Sequence, residues 1–446
     1  MKISTFRQAQ DYLENLIPAN FKSEEALKLE RIKLLLKALG NPEKNLKLIH
    51  VGGTAGKGST AMILASLLQG QGEKVGLFLS PHLEKITERV QINRANIPDQ
   101  DFVEEVNFLL EHIDKVAKKG LGAPTYFEAL VALAFDYFHK QKVNFALVEV
   151  GLGGKLDATN VIIPLLSILT NVGLDHTEIL GRTVEKIARD KVGIFKPKIP
   201  VVSGATQTSV QKIVVARAQK TSSPLFLLGK DFRFVSKSIS LTGSKFDFVF
   251  GKNFYPDLKI APLGGFQLKN GSLALAALLL LEKQGVIKLD WAKVENTLKS
   301  LAVPGRLEIV AAKPTTILDG AHNPMKMSSL IDALEKLFPK QKLIFLLSFK
   351  KGKNVNEMLK IVEPKAEKIF ASQFTANTDM AKNPAISAAY ICSLIYKDDL
   401  CIKEENLTKA FLSAKNRARE TSSLLVVTGS LYLVGEVRSR FYKKGH

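Results

Sequence analysis

Read by the spacing of its apolar positions, the chain switches repeatedly between the helical and the strand period. Two helices are expected first, Phe6 to Leu16 and Ala26 to Leu39, with Gly40-Asn41-Pro42 as a stop signal. The apolar run from Leu48 to Val51 ends at a glycine-rich turn, a helix runs from about Gly58 to Gln71, and Val75 to Leu79 reads as a second strand. Strand, loop, helix, strand is the βαβ unit of a parallel sheet covered by helices. Helices over Asp99 to Lys118 and Thr125 to Lys140 lead to the strand Phe145 to Val150, and Leu165 to Leu169 is another. A helix from Thr183 to Phe195 is closed by Pro197 and Pro200 before a strand at Val201-Val202. Phe232 to Phe250 alternates apolar and polar residues, as antiparallel strands do. Gly264-Gly265 opens a helix from Phe266 to Lys283, and a further helix covers Trp291 to Lys299.

Val303-Pro304-Gly305-Arg306 reads as a linker, because Pro and Gly adjoin between a helix and a fresh strand. Beyond it strands at Thr316 to Asp319, Leu343 to Leu347, Lys368 to Ala371 and Leu424 to Val427 alternate with helices. Those helices are Pro324 to Phe338, Val355 to Val362, Ala385 to Ile395, Leu407 to Arg417 and one after Gly429. The expected fold class is α/β: an N-terminal unit, residues 1–303, like a P-loop NTPase with a mostly parallel sheet, and a smaller doubly wound, Rossmann-like unit, residues 304–446.

The 446 residues, 46% hydrophobic and 24% charged, suffice for two or three such domains at roughly 150 residues each. Cys392 and Cys401 are the only cysteines, which excludes a disulfide framework or thiolate metal cluster and suits a reducing cytoplasm; both are expected as buried small hydrophobes. No leader and no uncharged apolar run of about 18 residues is seen, so neither secretion nor a membrane span is expected. The net charge of +20 invites a nucleic-acid reading. The lysines, however, are spread along the chain, and a solvated surface or a positive cleft for a small anion explains them better.

The chemistry centres on Gly53-Thr54-Ala55-Gly56-Lys57-Gly58-Ser59-Thr60, a phosphate-binding loop between strand and helix. Glycines let backbone N–H groups converge on an anion, the helix N-terminus adds its positive end, Lys57 reaches terminal phosphates, and Ser59 or Thr60 reaches a metal. Gly58 stands where the strict pattern has the hydroxyl residue. Three other strand ends carry Ser80, Glu149 and His176, and such ends meet at the ligand edge of an open α/β sheet. Hydroxyl, carboxylate and imidazole suit a divalent cation that keeps water and phosphate oxygens as its other ligands. Asp319-Gly320-Ala321-His322-Asn323-Pro324 is a similar polar cluster beyond the linker.

These motifs, with Leu79-Ser80-Pro81-His82-Leu83, Glu149-Val150-Gly151-Leu152-Gly153-Gly154, Leu156-Asp157-Ala158-Thr159-Asn160, Leu174-Asp175-His176 and Pro304-Gly305-Arg306, stand in one order. In that order the chain resembles the folylpolyglutamate synthase and bifunctional dihydrofolate synthase/folylpolyglutamate synthase family of the Mur ligase superfamily. The resemblance implies an ATP-dependent amide ligase that adds L-glutamate to a reduced folate through an acyl phosphate, with dihydropteroate left open as a second acceptor. It implies that Gly53 to Thr60 cradle ATP, that Asn270, Arg306 and Asp319 contact the nucleotide, and that His322 lies near the transferred phosphate. Lys57, Lys191, Arg306 and His322 are then the catalytic set. Ser80, Glu149 and His176 would hold one Mg2+, and a carbamylated Lys191 a second. Thr125, Tyr126, Phe127, Glu128, Leu156, Asp157 and Ala158 would form the pterin pocket, with Tyr126 or Phe127 stacking on the heterocycle. A cytoplasmic monomer without nucleic-acid or membrane partners is implied. Departures from the family pattern are Ala55 in place of Asn, Ala26-Leu27-Lys28 before Leu29-Glu30-Arg31, and Lys350-Lys351-Gly352-Lys353. A Mur-type ligase for another carboxylate and a nucleic-acid-dependent P-loop ATPase are the alternatives.

Overall fold

Eight strands build the first sheet, and the strand feeding the phosphate loop lies near its middle. A computed structural model describes residues 2–18, 29–379, 381–382, 385–397 and 399–442, so the expected helix start at Ala26 to Lys28 lies outside the described residues. In chain order the strands are β1 (Leu48–Gly52), β2 (Val75–Phe78), β3 (Val90–Ile92), β4 (Ala95–Asn96), β5 (Phe145–Glu149), β6 (Leu166–Leu169), β7 (Val201–Ser203) and β8 (Leu225–Leu227). They stand in the order β4-β3-β2-β5-β1-β6-β7-β8, parallel from β2 to β8, with β3 and β4 antiparallel at one edge. β1, β5 and β6 are buried throughout, which is why they read as continuous apolar runs.

Helices α1 (Phe6–Asn15), α2 (Leu29–Ala38), α3 (Lys57–Gly70), α4 (Asp99–Val116), α5 (Tyr126–Lys140), α6 (Thr177–Leu180), α7 (Val184–Lys191), α8 (Thr208–Lys220), α9 (Phe266–Lys283) and α10 (Trp291–Ser300) accompany this sheet. Side chains of β1 alternate between two apolar clusters, Ile49 and Val51 with α3, α9 and α10, and Leu48 with α1, α2, α4 and α5. A second, antiparallel sheet of β9 (Phe232–Ser240), β10 (Gly243–Phe250) and β11 (Asn253–Ile260) packs Phe246 and Phe248 into the first of those clusters. α9 is thus enclosed on all sides, as a helix apolar all round must be.

The third sheet holds β12 (Glu308–Ala312), β13 (Thr315–Leu318), β14 (Leu343–Leu347), β15 (Ala366–Ala371), β16 (Cys401–Lys403) and β17 (Leu424–Thr428) in the order β12-β13-β17-β14-β15-β16. All but β12 run parallel. With α11 (Pro324–Leu337), α12 (Val355–Val362), α13 (Ala388–Ser393), α14 (Leu407–Glu420) and α15 (Leu431–Phe441) it forms a unit with its own apolar clusters.

Three features depart from the sequence reading. β3, β4 and β16 are two or three residues long, too short to leave a periodic signal. The expected helix from Ala385 to Ile395 contracts to Ala388–Ser393, capped by the Ser387 side chain accepting from the Tyr390 N–H. The cysteines are not buried free thiols: Cys392 on α13 and Cys401 on β16 are half-buried and joined as a disulfide, because the short α13–β16 connection folds back on itself.

Candidate active site between the two units

The phosphate loop leaves the carboxyl edge of the first sheet and is braced by the residues that follow β6, its neighbour. The Ala55 N–H donates to Asn171 Oδ1 at 2.8 Å, the Thr54 N–H to the Asn171 carbonyl at 3.0 Å, and the Thr170 hydroxyl to the Ala55 carbonyl at 2.6 Å. Gly56 turns the chain into α3 with φ +79°, and a Cβ there would lie 2.3 Å from Asn270 Oδ1 on α9. Asn270 is therefore packed against the loop, its amide donating to Gln267 Oε1 at 2.9 Å. Gly53, Thr54, Gly56, Lys57, Gly58 and Ser59 line a cavity, while Thr60 is buried in α3 and Ala55 is held by its backbone.

Because β2, β5, β1 and β6 are parallel neighbours, their ends deliver Ser80, Glu149 and His176 to that same cavity. The Ser80 N–H donates to Glu149 Oε2 at 3.0 Å, and Lys57 Nζ lies 3.8 Å from Oε1. Burial raises the Glu149 pKa even against Lys57 and this hydrogen bond, so the carboxylate is short of positive partners. The cavity also holds Asp175, whose Oδ1 lies 2.6 Å from Lys353 Nζ and whose Oδ2 accepts from Asn323 Nδ2 at 3.0 Å. His176 is pushed down to about 3 by burial and by Lys353, and so presents a neutral imidazole, the form that ligates a cation. Among the described residues no three His, Cys, Asp or Glu side chains converge as a closed metal cage. A cation sharing water and phosphate oxygens needs fewer protein ligands. Lys191, at the end of α7, is buried with Nζ 3.1 Å from the Gly53 carbonyl. Burial and then Lys57 hold its ammonium down to about 8.

The third sheet presents its own carboxyl edge to this cavity. Arg306 reaches into it beside Glu149, and its Nη1 donates to the Gly305 carbonyl at 3.0 Å. Asp319, the first residue after β13, does not line the cavity. Its Oδ2 accepts from the Leu307 N–H and its Oδ1 from the Ala321 N–H, both at 2.8 Å, and this clamps the Arg306 segment to the His322 turn. His322 lines the cavity, and so do Lys326, Lys350 and Lys353. Lys326 was not singled out from the sequence, where one lysine in a helix's first turn carries no signal. Burial, with repulsion from Lys57, Arg306 and Lys353 against attraction by Asp175, holds it down to about 7.

Thr125, Phe127, Glu128, Leu156, Asp157 and Ala158 also line the cavity. Thr125 and Glu128 form a capping box at the start of α5, and Glu128 Oε2 also lies 3.1 Å from Arg31 Nε. Phe127 faces the cavity; Tyr126 does not, being buried with Arg89 over its ring. Asp157 is fixed by the Leu152 N–H at 2.7 Å and by the Thr159 N–H at 3.0 Å. Asp379, on the loop after β15, also reaches the cavity and pairs in two-pronged fashion with Arg89, at 2.5 and 3.1 Å.

A phosphate loop on one parallel sheet, closed over by an arginine and a histidine from a second α/β unit, marks the class of two-part nucleotide-dependent ligases. Residues 51–278 match the Mur ligase middle domain, and residues 306–440 match the dihydrofolate synthetase C-terminal domain. The dihydrofolate synthase/folylpolyglutamate synthase of Bacillus subtilis is 34% identical over 414 residues, covering 92% of this chain and 94% of the relative. The dihydrofolate synthetase of Saccharomyces cerevisiae is 32% identical over 429 residues, 92% of this chain and 97% of its own. The folylpolyglutamate synthase of Mycobacterium tuberculosis, solved with ADP and AMPPCP, superposes with a TM-score of 0.90 at 26% identity over 99% of this chain and 100% of that one. An FPGS–AMPPCP–folate complex does so with a TM-score of 0.84 at 29% identity, again over 99% and 100%. The chain belongs to the folylpolyglutamate and dihydrofolate synthase family of Mur ligases.

Proposed function

We propose that the protein is an ATP-dependent ligase that joins the amine of L-glutamate to a carboxylate of a reduced folate. The observation that carries this reading is one cavity lined both by Lys57, Ser59, Arg306 and His322 and by Phe127, Leu156 and Asp157. A free carboxylate is a poor acyl donor because oxide leaves badly; transfer of the ATP γ-phosphoryl group turns it into an acyl phosphate, from which phosphate leaves well. The protein's part is to align the reacting groups and to neutralise charge as it moves. Residues 1–303 act as the ATP-binding, Mur-ligase-like domain and residues 304–446 as the Rossmann-like ligase domain, in accord with the two family matches. Asn270 and Asp319 support the nucleotide site through the loop and through Arg306.

Ser80, Glu149 and His176 hold a Mg2+ ion, which when bound offsets phosphate charge; the uncompensated Glu149 and the neutral His176 fit it. Lys191 becomes carbamylated: its unprotonated amine attacks carbon dioxide, an N–C bond forms and a proton leaves, giving an anion for a second Mg2+. Its buried Nζ and lowered pKa support this. The protein works as a monomer on small molecules without nucleic acid, its cavity lysines serving the anionic substrates. Dependence on ATP supports a cytoplasmic location.

Phosphate release from ATP should require a reduced folate and L-glutamate together. Release with neither, or only with another acceptor and amino acid, overturns the reading. Dihydropteroate in place of the folate tests the second acceptor, which the names of the Bacillus and yeast relatives favour.

A further inference from the structure

His322 has only one way to share its protons. Its Nδ1 lies 2.8 Å from the Gly320 carbonyl, an oxygen that can only accept, so Nδ1 carries the hydrogen. In the neutral ring Nε2 is then a lone pair, and Lys326 Nζ stands 2.9 Å from it. In its charged form, which a polyanion in the cavity favours, Lys326 can only donate, so it gives one N–H to His322 and keeps two. The imidazole therefore has no proton to offer an anion in the cavity; the donor at this place is the lysine.

We propose that Lys326 is a further catalytic residue, its ammonium held by His322 against the transferred phosphoryl group. The inference rests on the phosphoryl-transfer reading above. Lys326 lines the same cavity as Lys57, Arg306 and Lys353, reaching it from α11 while Lys57 reaches it from α3. The anionic side chains that attract it are Asp175, already bound to Lys353 and Asn323, Glu149 beside Lys57, and Asp319, held by the Leu307 and Ala321 N–H groups. The lining as a whole carries six Lys and Arg side chains against five carboxylates, and Lys57, Arg306, Lys326 and Lys353 gather around Glu149 and Asp175, an arrangement that suits a polyanion. A folding role is not what keeps Lys326: α11 is capped by Asn323 Oδ1 accepting from the Lys326 backbone N–H at 2.9 Å, which any side chain at 326 would preserve. In the step itself a carboxylate oxygen forms a bond to Pγ, the bond from Pγ to the β,γ-bridging oxygen breaks, and its electron pair stays on ADP. No proton moves. Lys326 donates to a non-bridging oxygen whose charge is in transit.

The test uses the full chain and two variants, Lys326→Met and Lys326→Arg. Lys326→Met should lower kcat for phosphate release by about 10²–10³-fold, with KM for ATP and for folate changed by less than about twofold, the mark of an interaction made only in the transition state. It should weaken binding of ADP with aluminium fluoride and Mg2+, a mimic of the group in transfer, by a like factor, yet leave ADP alone within about twofold. Lys326→Arg should recover part of both losses. The thermal midpoint should not fall, since a cation is removed from among cations. A Lys326→Met enzyme within about threefold of the parent kcat overturns the proposal, as does equal weakening of ADP and of ADP with aluminium fluoride. The mimic measurement contains neither folate nor glutamate. A wrong acceptor would therefore show as an inactive parent enzyme, while Lys326 would still be read through the mimic.

Discussion

At the scale of single residues, the cavity wall depends on side chains that never touch it. His50, in the middle of β1, is fully buried, and its Nε2 lies 2.9 Å from Thr159 Oγ1, whose hydroxyl donates to Asp157. Burial and then Lys196 push the His50 pKa down to about 3. A histidine whose folded pKa lies below its unfolded 6.5 takes up its proton only on unfolding, so stability is full above about pH 6.5 and is lost as pH falls toward 3. From pH 7 to 5 this one group should remove about 2 kcal/mol, and His50→Gln should abolish that share of the loss. Urea unfolding of both proteins at the two pH values measures the difference, and parallel losses would clear His50 of the role. Ser80, Glu149 and His176 could be picked out because each follows an apolar strand, Glu149 as its last residue and Ser80 and His176 on the segments just after β2 and β6. His50 and Lys326 could not, since a lone histidine in a strand and a lone lysine in a helix look the same whether or not something faces them. Nor could spacing alone have joined Arg89 to Asp379, 290 positions apart.

At the scale of elements, long periodic segments were readable and short ones were not. The expected Phe266 to Lys283 helix is α9, and Val355 to Val362 is α12, end for end. α9 carried its signal in length and leucine content, because its stretch from Leu273 to Leu281 is apolar all round and has no polar face to reveal its neighbours. Its environment needed the structure: β9 to β11 on one side and the first sheet on the other. Leu278 is fully buried there, in the apolar cluster that α9 shares with both sheets. Leu278→Ala should therefore cost about 2–5 kcal/mol, read as a lower denaturant midpoint at unchanged slope. A change below about 1 kcal/mol would mean that the sheets close over the gap. The disulfide was invisible at this scale for the opposite reason. The helix that carries Cys392 was readable, but β16 is three residues long and left no signal, and so Cys401 could not be brought face to face with it.

At the scale of the molecule, the segment from Ser80 to Arg89 is the place where the two units clasp. Leu83 packs into the apolar cluster of α14 and α15, Glu84 pairs with Arg438, which also holds Glu308 at 3.1 Å, and Arg89 pairs with Asp379. The closest approach is at Gly435 on α15, where a Cβ would fall 1.6 Å from the Leu83 carbonyl oxygen. Backbone cannot yield by that much within a helix, so Gly435→Ala must push α15 away from the loop that carries Ser80. Each unit keeps its own apolar clusters, so both should still fold. What should be lost is registry between the phosphate loop and Arg306, His322 and Lys326. A misplacement on the order of 1 Å costs about 10²-fold in rate, and that is the expected fall in phosphate release for Gly435→Ala, with ADP affinity little changed because the loop itself is intact. Solution scattering should show a larger radius of gyration for the variant in the presence of nucleotide. A variant that keeps the parent rate and radius would show that closure does not pass through α15, and would leave the Arg89–Asp379 and Asp175–Lys353 pairs as the clasps to break.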